Sequence, residues 1–265
     1  MTIRAWAAPR AAATMESFAY DPAPLGDEEV EVAVEHCGLC HSDLSMIDDE
    51  WRRSRFPLVP GHEAVGRVVA AGASVRRVAV GDRVGVGWYA SSCMACAECL
   101  AGDAHLCARA TETIVGRHGG FAERVRLHWL WATPLPAGLD FAGAGPLFCG
   151  GITVFSPIVE LGVRPTDRVA VLGIGGLGHL AVRFLRAWGC EIVQGDLTDP
   201  DSLRRAAEGC DTVVHLVAIL LGSPEAFERI MVQGTRDLVE AAKGAGVKRV
   251  VLMSALGTEA GHEVT

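Results

Sequence analysis

One glycine-rich stretch, VLGIGGLGH at residues 171–179, constrains the fold of this chain more than any other feature. An apolar run at 168–172, RVAVL, precedes it and is typical of a buried parallel strand. The residues that follow, as far as Trp188, have the apolar spacing of a helix. The glycines fit the spacing GxGxxG, with Gly173, Gly175 and Gly178 in the three positions. Strand, turn and helix in this order predict a doubly wound α/β unit whose turn binds the pyrophosphate of a dinucleotide.

Length and composition restrict the class of protein. A chain of 265 residues is long enough for two domains, each with its own core. Hydrophobic residues make up 50% and charged residues 21%, which fits a globular chain and not a disordered one. The net charge of -8 and the lack of a block rich in Lys or Arg argue against nucleic acid and against an anionic membrane as partners.

The compartment follows from the N-terminus and from the cysteines. Residues 1–6, MTIRAW, lack the basic and then apolar pattern of an export signal. An uncharged stretch at 141–159 has the length of a membrane span, but its glycines and prolines favour a loop and a turn. These features predict a cytoplasmic protein. In that compartment the nine cysteines indicate metal binding and not disulfides.

The strongest metal motif is a lobe that contains four closely spaced cysteines, namely Cys93, Cys96, Cys99 and Cys107. Four thiolates from one short segment can close a tetrahedral zinc site that leaves no position for a substrate. We therefore predict a structural zinc ion. It should fold its own loop, because metal binding contributes to the folding free energy of such a segment.

A second set of candidate zinc ligands is less well defined by spacing. Cys37 and Cys40 form a CxxC pair, and His41, His62 and Cys149 lie after them. A catalytic zinc needs three protein ligands and one open position. Cys40, His62 and Cys149 would provide such a set, but their spacing alone does not select them.

Several further stretches point to a known family. They are CGLCHSDLSMIDDEW, PLVPGHEAVGRVV, GDRVGVGW, GGFAERV, AGPLFCGGITVFSP and GIGGLGH, together with the four-cysteine lobe. On these stretches, residues 1 to about 191 closely resemble the zinc-dependent medium-chain alcohol dehydrogenases, and within them the cinnamyl-alcohol-dehydrogenase-like branch with its bacterial NADPH-linked aldehyde reductases. The resemblance implies a GroES-like β-rich catalytic domain followed by a Rossmann-type parallel sheet. It also implies zinc-dependent hydride transfer between NAD(P)H and an aldehyde or a primary alcohol.

The resemblance also implies a catalytic zinc site. Its ligands would be Cys40, His62 and Cys149, and Glu63 would stand beside the metal as an occasional ligand. Asp43 would orient His62 from behind, which fixes the tautomer of a ligand histidine. With the four-cysteine lobe, two zinc ions per chain are expected.

Roles in catalysis and cofactor binding follow in the same way. The resemblance implies that the Ser42 hydroxyl bonds the substrate oxygen and passes its proton. His41 would lie near the cofactor phosphates, and Thr153 near the nicotinamide. The turn residues expected at the dinucleotide are Gly173, Gly175, Gly176, Leu177 and Gly178.

After Cys190 the resemblance changes. Segments at 191–203, 210–216, 232–242 and 247–257 are similar to the middle of the extended or atypical short-chain dehydrogenases, which also have doubly wound sheets. We therefore predict domains at 1–151 and 152–265, the second being a shortened hybrid. Right-handed crossovers predict a parallel sheet with the strand order 191–195, 168–172, 212–217 and 248–254.

Asp196 bears on the choice of cofactor. It lies 18 residues after Gly178, near the place where a carboxylate binds the ribose 2′-hydroxyl of NAD. The zinc-dependent relatives suggest NADP instead, so the sequence leaves the choice between NAD and NADP open.

Two hypotheses about function remain. The first is an NAD(P)-dependent alcohol dehydrogenase or aldehyde reductase with a small aldehyde or alcohol as its substrate. The alternative is a fusion or truncation product that binds zinc and nucleotide but is catalytically impaired or inactive. It is kept because the zinc family's C-terminal segment is expected to be missing, and because Tyr20 and Tyr89 are the only tyrosines, so the short-chain Tyr-x-x-x-Lys motif is lacking. A homodimer is left open.

Overall fold

The computed structural model describes residues 1–217 and 223–252. The chain divides into two compact units, Met1–Cys149 and Gly150–Thr265. This division falls two residues before the predicted boundary between 151 and 152. The two units, called the first and the second unit below, are described separately.

The first unit is built from antiparallel sheets. Its strands are β1 (Ile3–Ala7), β2 (Glu16–Tyr20), β3 (Glu29–Cys37), β4 (Ala64–Ala71), β5 (Arg83–Val86), β6 (Tyr89–Ser91), β7 (Thr111–Glu112), β8 (Arg124–His128) and β9 (Thr133–Pro134). A five-stranded sheet has the order β8-β3-β4-β5-β9, while β1 pairs with β2 and β6 pairs with β7. The sheets confirm the β-rich domain predicted from the sequence.

Strand β3 shows why this sheet forms. Val30 and Val32 are fully buried in the core of the unit, as the alternation of apolar and polar residues predicts. On the opposite face Glu31 is also buried, because it pairs with two arginines of the neighbouring strand β8. The distances are 2.6 Å to Arg124 Nη1 and 2.6 Å to Arg126 Nη2. The acidic face of β3 is therefore partly covered by its neighbour.

Short helices connect these strands and carry the candidate site. They are α1 (His41–Asp48), α2 (Ala97–Ala101) and α3 (Phe141–Ala144). Single 3₁₀ turns occur at Ala104–Leu106, Trp129–Trp131 and Gly145–Phe148. Helix α1 begins directly after Cys40, which occupies its N-cap position. This places Cys40 at a fixed point beside the end of β3.

The second unit has a four-stranded parallel sheet. Its elements are α4 (Gly150–Glu160), β10 (Arg168–Leu172), α5 (Gly176–Trp188), β11 (Glu191–Gly195), α6 (Pro200–Ala207), β12 (Thr212–His215), α7 (Pro224–Phe227), a π-helical turn (Glu228–Gln233), α8 (Gly234–Gly244) and β13 (Arg249–Leu252). The strand order is β11-β10-β12-β13. This confirms the predicted order. Strand β12 is two residues shorter than predicted, and positions 253 and 254 of the predicted last strand lie outside the described residues.

The alternation of residues along β10 and β12 sends side chains to two cores. Val169, Val171 and Val214 belong to the core that contains α4 and α5. Ala170 and Val213 belong to the opposite core, which contains α6 and α8. The sheet is therefore covered by helices on both faces, and this confirms the Rossmann-type class.

The uncharged stretch at 141–159 differs from its prediction. It was expected to be a loop and a turn, but it forms α3, a 3₁₀ turn and most of α4. Pro157 lies inside α4. Within 1–217 and 223–252, no single helix is long and apolar enough to span a membrane; the consecutive segments Phe141–Phe148 and Gly150–Glu160 meet that length and composition only together.

Candidate functional site

Four side chains from distant parts of the first unit converge on one point. The ligand atoms of Cys40, His62, Glu63 and Cys149 all lie within 4.8 Å of one another. The Sγ atoms of Cys40 and Cys149 are 3.8 Å apart, although 109 residues separate them. Two thiolates that share a tetrahedral zinc ion with bonds of about 2.3 Å are separated by about 3.8 Å. The sulfur atoms are therefore spaced as zinc requires.

The orientation of His62 also fits a metal. Its side chain is fully buried, and Nδ1 lies 2.9 Å from Oδ1 of Asp43. Because the carboxylate accepts, Nδ1 carries a proton, and Nε2 is the nitrogen whose lone pair becomes available to a metal when the ring gives up its second proton. Nε2 is buried and has no hydrogen-bond partner among the residues that the structure describes. A buried lone pair of this kind, beside two cysteines, is what a metal ion would satisfy.

Asp43 connects the segments that carry the ligands. Besides bonding His62, its carboxylate accepts hydrogen bonds from the backbone N–H of Gly61 at 2.8 Å and of Cys40 at 3.2 Å. It is itself buried. One side chain thus fixes the N-cap of α1 relative to the turn before β4.

The charges in this group favour a cation. Hydrogen bonding from Cys149, with further donation by the backbone and hydroxyl of Ser42, lowers the pKa of Cys40 to about 3. The negative Cys40 in turn raises the pKa of Cys149. Burial opposes the charged form of His62, but its bond to Asp43 prevails and raises its pKa to about 9. Metal binding here would therefore release protons.

Cys37 differs from Cys40 in every one of these respects. It does not belong to the group of converging ligand atoms. Burial raises the pKa of Cys37 to about 12, so its thiol stays protonated. Its sulfur lies 3.0 Å from the position that a Cβ would take at Gly61 and at Gly120. Its place is that of a small packing residue.

Glu63 lies beside the ligands because Gly38 leaves room for it. A Cβ at Gly38 would be 2.0 Å from Oε2 of Glu63. Of the other predicted residues, Ser42 is half-buried in the first turn of α1, where it faces the Cys40 sulfur. His41 is exposed at the start of the same helix.

Replacing Asp43 with asparagine is expected to weaken zinc binding at this group by about 10- to 100-fold, since the ligand histidine loses a charged partner. Competition with a chelator measures the affinity. Asp49→Asn is the matched control, because Asp49 bonds the Ser54 N–H at 2.9 Å and touches no ligand. Equal affinity in Asp43→Asn and the control would contradict the role given to Asp43.

The four cysteines of the lobe form a second group. The Sγ atoms of Cys93, Cys96, Cys99 and Cys107 all lie within 4.8 Å of one another, and Cys93 and Cys99 are 3.9 Å apart. Helix α2 begins directly after Cys96 and turns Cys99 back toward Cys93. The backbone N–H of Ala95 lowers the pKa of Cys93 to about 6, which favours a thiolate. The donor set and spacing fit a closed zinc site.

In the glycine turn of the second unit, the surroundings of the glycines differ from one position to the next. Gly173 has φ +82°, and a Cβ there would be 2.7 Å from a γ-carbon of Val217. At Gly178 a Cβ would be 1.8 Å from the Gly173 carbonyl oxygen, so α5 can pack this close only without a side chain. At Gly175 and Gly176 a Cβ would meet nothing within 4 Å. The open space at the N-terminus of α5 is where a pyrophosphate would lie.

These contacts predict that an alanine substitution at one glycine lowers stability, whereas one at another glycine weakens dinucleotide binding. Gly178→Ala is expected to lower the free energy of unfolding by about 1–3 kcal/mol, because the turn must move away from the new methyl group. Gly175→Ala is expected to leave stability unchanged but to weaken NADH and NADPH binding by about 10-fold. Thermal unfolding and dinucleotide titration of both variants check this. A stability loss confined to Gly175→Ala would contradict it.

Of the remaining cofactor candidates, Asp196 lies near this turn in the sheet register. Gly195 pairs with Leu172, so Asp196 and Gly173 both follow the carboxyl ends of neighbouring strands. Oδ1 of Asp196 accepts bonds from the backbone N–H and the hydroxyl of Thr198, both at 2.8 Å, which lower its pKa. Leu177 packs against the core of α4 and α5. Thr153 is half-buried on α4.

Two tryptophans lie beside this group, one in contact with His62 and the other in contact with the first. The ring of Trp88 meets that of His62 edge-to-face, with centroids 5.0 Å apart. Trp51 meets Trp88 at 5.9 Å and is 44% exposed. The only sequence signal for Trp88 is its place at the end of GDRVGVGW.

Comparisons with known proteins identify both parts of the chain. Residues 26–137 match the alcohol dehydrogenase GroES-like domain. Residues 181–264 match an NAD(P)H-binding family. Aldehyde reductase AdhA of Synechocystis sp. is 60% identical over 190 residues, which cover 72% of this chain and 56% of that protein.

Over 72% of its length the chain is therefore similar to the alcohol dehydrogenases, and its residues 26–137 match their GroES-like domain. A second relative, the probable cinnamyl alcohol dehydrogenase 9 of Oryza sativa subsp. japonica, is 41% identical over 204 residues, covering 72% of this chain and 56% of the relative. The chain therefore spans about half the length of the curated relatives it matches.

Solved structures of the family share the fold. A cinnamyl alcohol dehydrogenase from Sorghum bicolor superposes with a TM-score of 0.80 and 26% identity, over 95% of this chain and 83% of that one. A cinnamyl alcohol dehydrogenase from Helicobacter pylori complexed with NADP(H) gives a TM-score of 0.78 at 21% identity, over 95% and 83%. The GroES-like and Rossmann-type classes predicted from the sequence are thereby confirmed.

Proposed function

We propose that this chain is a zinc-dependent oxidoreductase of the medium-chain alcohol dehydrogenase type, which transfers a hydride between NAD(P)H and an aldehyde or a primary alcohol. The observation that carries the proposal is the convergence of Cys40, His62 and Cys149, in which the buried Nε2 of His62 has no hydrogen-bond partner among the described residues. The names of its relatives, aldehyde reductase and cinnamyl alcohol dehydrogenase, support the reaction class.

In this proposal Cys40, His62 and Cys149 hold the catalytic zinc, and Glu63 stands beside it. Zinc bound there would act as a Lewis acid toward the substrate oxygen. The chain's own contribution is to fix three ligands and to leave one position open, which the convergence of a thiolate pair and one imidazole supports. Asp43 keeps Nε2 of His62 aimed at the metal position through its bond to Nδ1.

We assign proton transfer to Ser42. Its hydroxyl lies against the Cys40 sulfur, so it stands beside the open position of the group. In the reduction direction it would donate its proton to the substrate oxygen, and in the oxidation direction it would take the proton back. His41, exposed at the preceding position of the same turn, would lie near the cofactor phosphates.

The dinucleotide is assigned to the second unit. When bound, it supplies or accepts the hydride. Support comes from the open space at Gly175 and Gly176 at the start of α5, and from the match to an NAD(P)H-binding family. The turn residues Gly173, Leu177 and Gly178 would shape this cradle, and Thr153 would lie near the nicotinamide.

The choice between NAD and NADP is assigned to Asp196. Its negative charge would repel a 2′-phosphate, so Asp196→Asn is expected to shift the ratio of kcat/KM values toward NADPH by about 10-fold. Asparagine keeps an oxygen for the bonds to Thr198. Asp201→Asn is the control, since it removes the same charge from the exposed surface of α6. An unchanged ratio in Asp196→Asn would reject this assignment.

The substrate class proposed is an aromatic aldehyde and its alcohol. The edge-to-face rings of Trp51 and Trp88 form a rigid aromatic wall beside His62, and such walls favour flat apolar substrates. The relatives named after cinnamyl alcohol agree with this class.

The cysteine lobe is proposed to hold a structural zinc through Cys93, Cys96, Cys99 and Cys107, giving two zinc ions per chain. Thiolate ligands of this kind persist in a reducing compartment, which supports a cytoplasmic location. No nucleic acid or membrane partner is proposed. A homodimer is the oligomer to test, by light scattering.

The proposal is tested by the oxidation of NADPH and NADH with matched aliphatic and aromatic aldehydes. Turnover with higher kcat/KM for the aromatic set is expected. Folded chain that carries two zinc ions and yet reduces none of the aldehydes would overturn the proposed function. It would leave a protein that binds zinc and nucleotide without catalysis.

A further inference from the structure

His215 is a buried titratable side chain of the second unit that the proposed mechanism does not use. It is the last residue of β12 and only 1% exposed. In the parallel register it pairs with Leu172, the last residue before the glycine turn. A polar side chain at the carboxyl end of a parallel strand stands where such sheets bind their ligands.

Both nitrogens of His215 are hydrogen-bonded, and each bond has a defined direction. The backbone N–H of Val217 donates to Nδ1 at 3.3 Å. Nδ1 is therefore unprotonated, and Nε2 carries the hydrogen that it donates to Oγ1 of Thr235 at 2.9 Å. Burial lowers the pKa of His215, in agreement with a neutral ring.

Val217, whose N–H bonds His215, also contacts the glycine turn. A Cβ at Gly173 would lie 2.7 Å from a γ-carbon of Val217 and 3.3 Å from its Cα. Val217 therefore occupies the side of Gly173 that a side chain would fill. The position of Val217 thus limits where the glycine turn at Gly173 can lie.

On the other side of His215, the hydrogen-bond partner Thr235 is held in place by helix α8. Thr235 lies in the first turn of α8, directly after the π-helical turn Glu228–Gln233. The preceding Gly234 is buried, and a Cβ there would be 3.0 Å from Cβ of Leu197, the neighbour of Asp196. The start of α8 thereby adjoins the loop after β11, and through Thr235 it contacts the end of β12.

We propose that His215 is a positioning residue for dinucleotide binding: it ties the start of α8 to the backbone of Val217 and so holds Val217 against Gly173 of the glycine turn. The inference rests on the proposed nucleotide-binding function. His215 need not touch the cofactor. Its Nδ1 bond sets the turn, and its Nε2 bond anchors the ring.

Two substitutions separate these bonds. Asparagine places its amide group near the position of Nδ1 and can still accept from Val217, but it cannot reach Thr235. Glutamine places its amide group near the position of Nε2 and can still donate to Thr235, but it leaves the Val217 N–H without an acceptor. Val213→Ala is the matched control, since Val213 lies in the same strand and packs only in the core of α6 and α8.

The experiment measures Kd for NADH and NADPH and the thermal unfolding midpoint of each variant. His215→Gln is expected to raise Kd by about 10-fold, a change equal to the loss of one hydrogen bond. His215→Asn should stay within about threefold of wild type. Val213→Ala should lower the midpoint without changing Kd. A merely structural role would raise Kd in step with the loss of stability, and would not separate glutamine from asparagine.

Equal Kd values for His215→Gln and wild type, or equal weakening by glutamine and asparagine, would overturn the inference alone. A wild-type chain that binds neither dinucleotide would overturn the proposed function as well. Amide hydrogen exchange of wild-type Val217 requires no variant to fold. It should be slow and become slower with NADH, and exchange at the rate of an unprotected amide would reject the bond to His215.

Discussion

Replacing Cys40 with serine is expected to lower kcat for aldehyde reduction by about 10³-fold or more, while the chain keeps its fold. A Lewis-acid metal contributes several kcal/mol to the stabilisation of the developing alkoxide, and about 4 kcal/mol corresponds to 10³-fold in rate. Serine removes the Cys40 thiol, whose pKa is lowered to about 3 by its bond from Cys149 and which is therefore present as a thiolate. NADPH oxidation at saturating aldehyde, with zinc content measured on the same sample, gives the result.

Cys37→Ala is the control for this prediction. Cys37 is the other cysteine of the CxxC pair, and its pKa of about 12 keeps it protonated. It should retain both zinc ions and most of the activity. Activity that survives in Cys40→Ser, or that is lost equally in Cys37→Ala, would show that Cys40 is not a ligand of a catalytic metal.

The second large effect is expected at Cys107, the buried member of the cysteine lobe. Cys107→Ser should remove one zinc ion per chain and lower the free energy of unfolding by about 4 kcal/mol or more, because loss of a structural metal is among the few single changes of that size. The lobe has little apolar core of its own, since Leu100 is 76% and Leu106 is 55% exposed. Denaturant unfolding and zinc analysis measure both quantities.

Cys210→Ala provides the comparison for the lobe. Cys210 is a buried cysteine of the second unit whose thiol bonds the Ala206 carbonyl at 2.9 Å, and it should lose no zinc. If Cys107→Ser keeps full zinc content and stability, the lobe does not hold a structural metal.

The sequence predicts the sheet of the second unit well because local signals set it. The alternation at Val169, Ala170 and Val171 places apolar residues on both faces, and right-handed crossovers then leave a single strand order. The four-cysteine lobe was also recognisable, because its ligands lie within one short segment. In both cases the determining contacts are close in sequence.

Contacts between residues that are far apart in the sequence could not be predicted from sequence patterns. Spacing did not select Cys149 as the partner of Cys40, since their 3.8 Å separation spans 109 residues. Trp88 received no role because its contact with His62 depends on how β5 and β6 bring it back to the turn before β4. Likewise, the burial of Glu31 depends on two arginines from β8.

The prediction for 141–159 failed for a physical reason. Glycine and proline weaken helices in isolation, and this led to an expected loop. In α4, however, Gly150 and Gly151 are buried, and Val154 and Ile158 pack in the core with α5. Tertiary packing therefore overrides the local preference.

The most direct test of a zinc-dependent catalytic centre is the rate of aldehyde-dependent NADPH oxidation as zinc is returned stepwise to the metal-free chain. The four-thiolate lobe should fill first, because it closes around the ion without an open position. The rate should therefore stay low up to one zinc per chain and rise to its full value between one and two. A rate independent of zinc, or no turnover by folded chain with two zinc ions, would contradict the account.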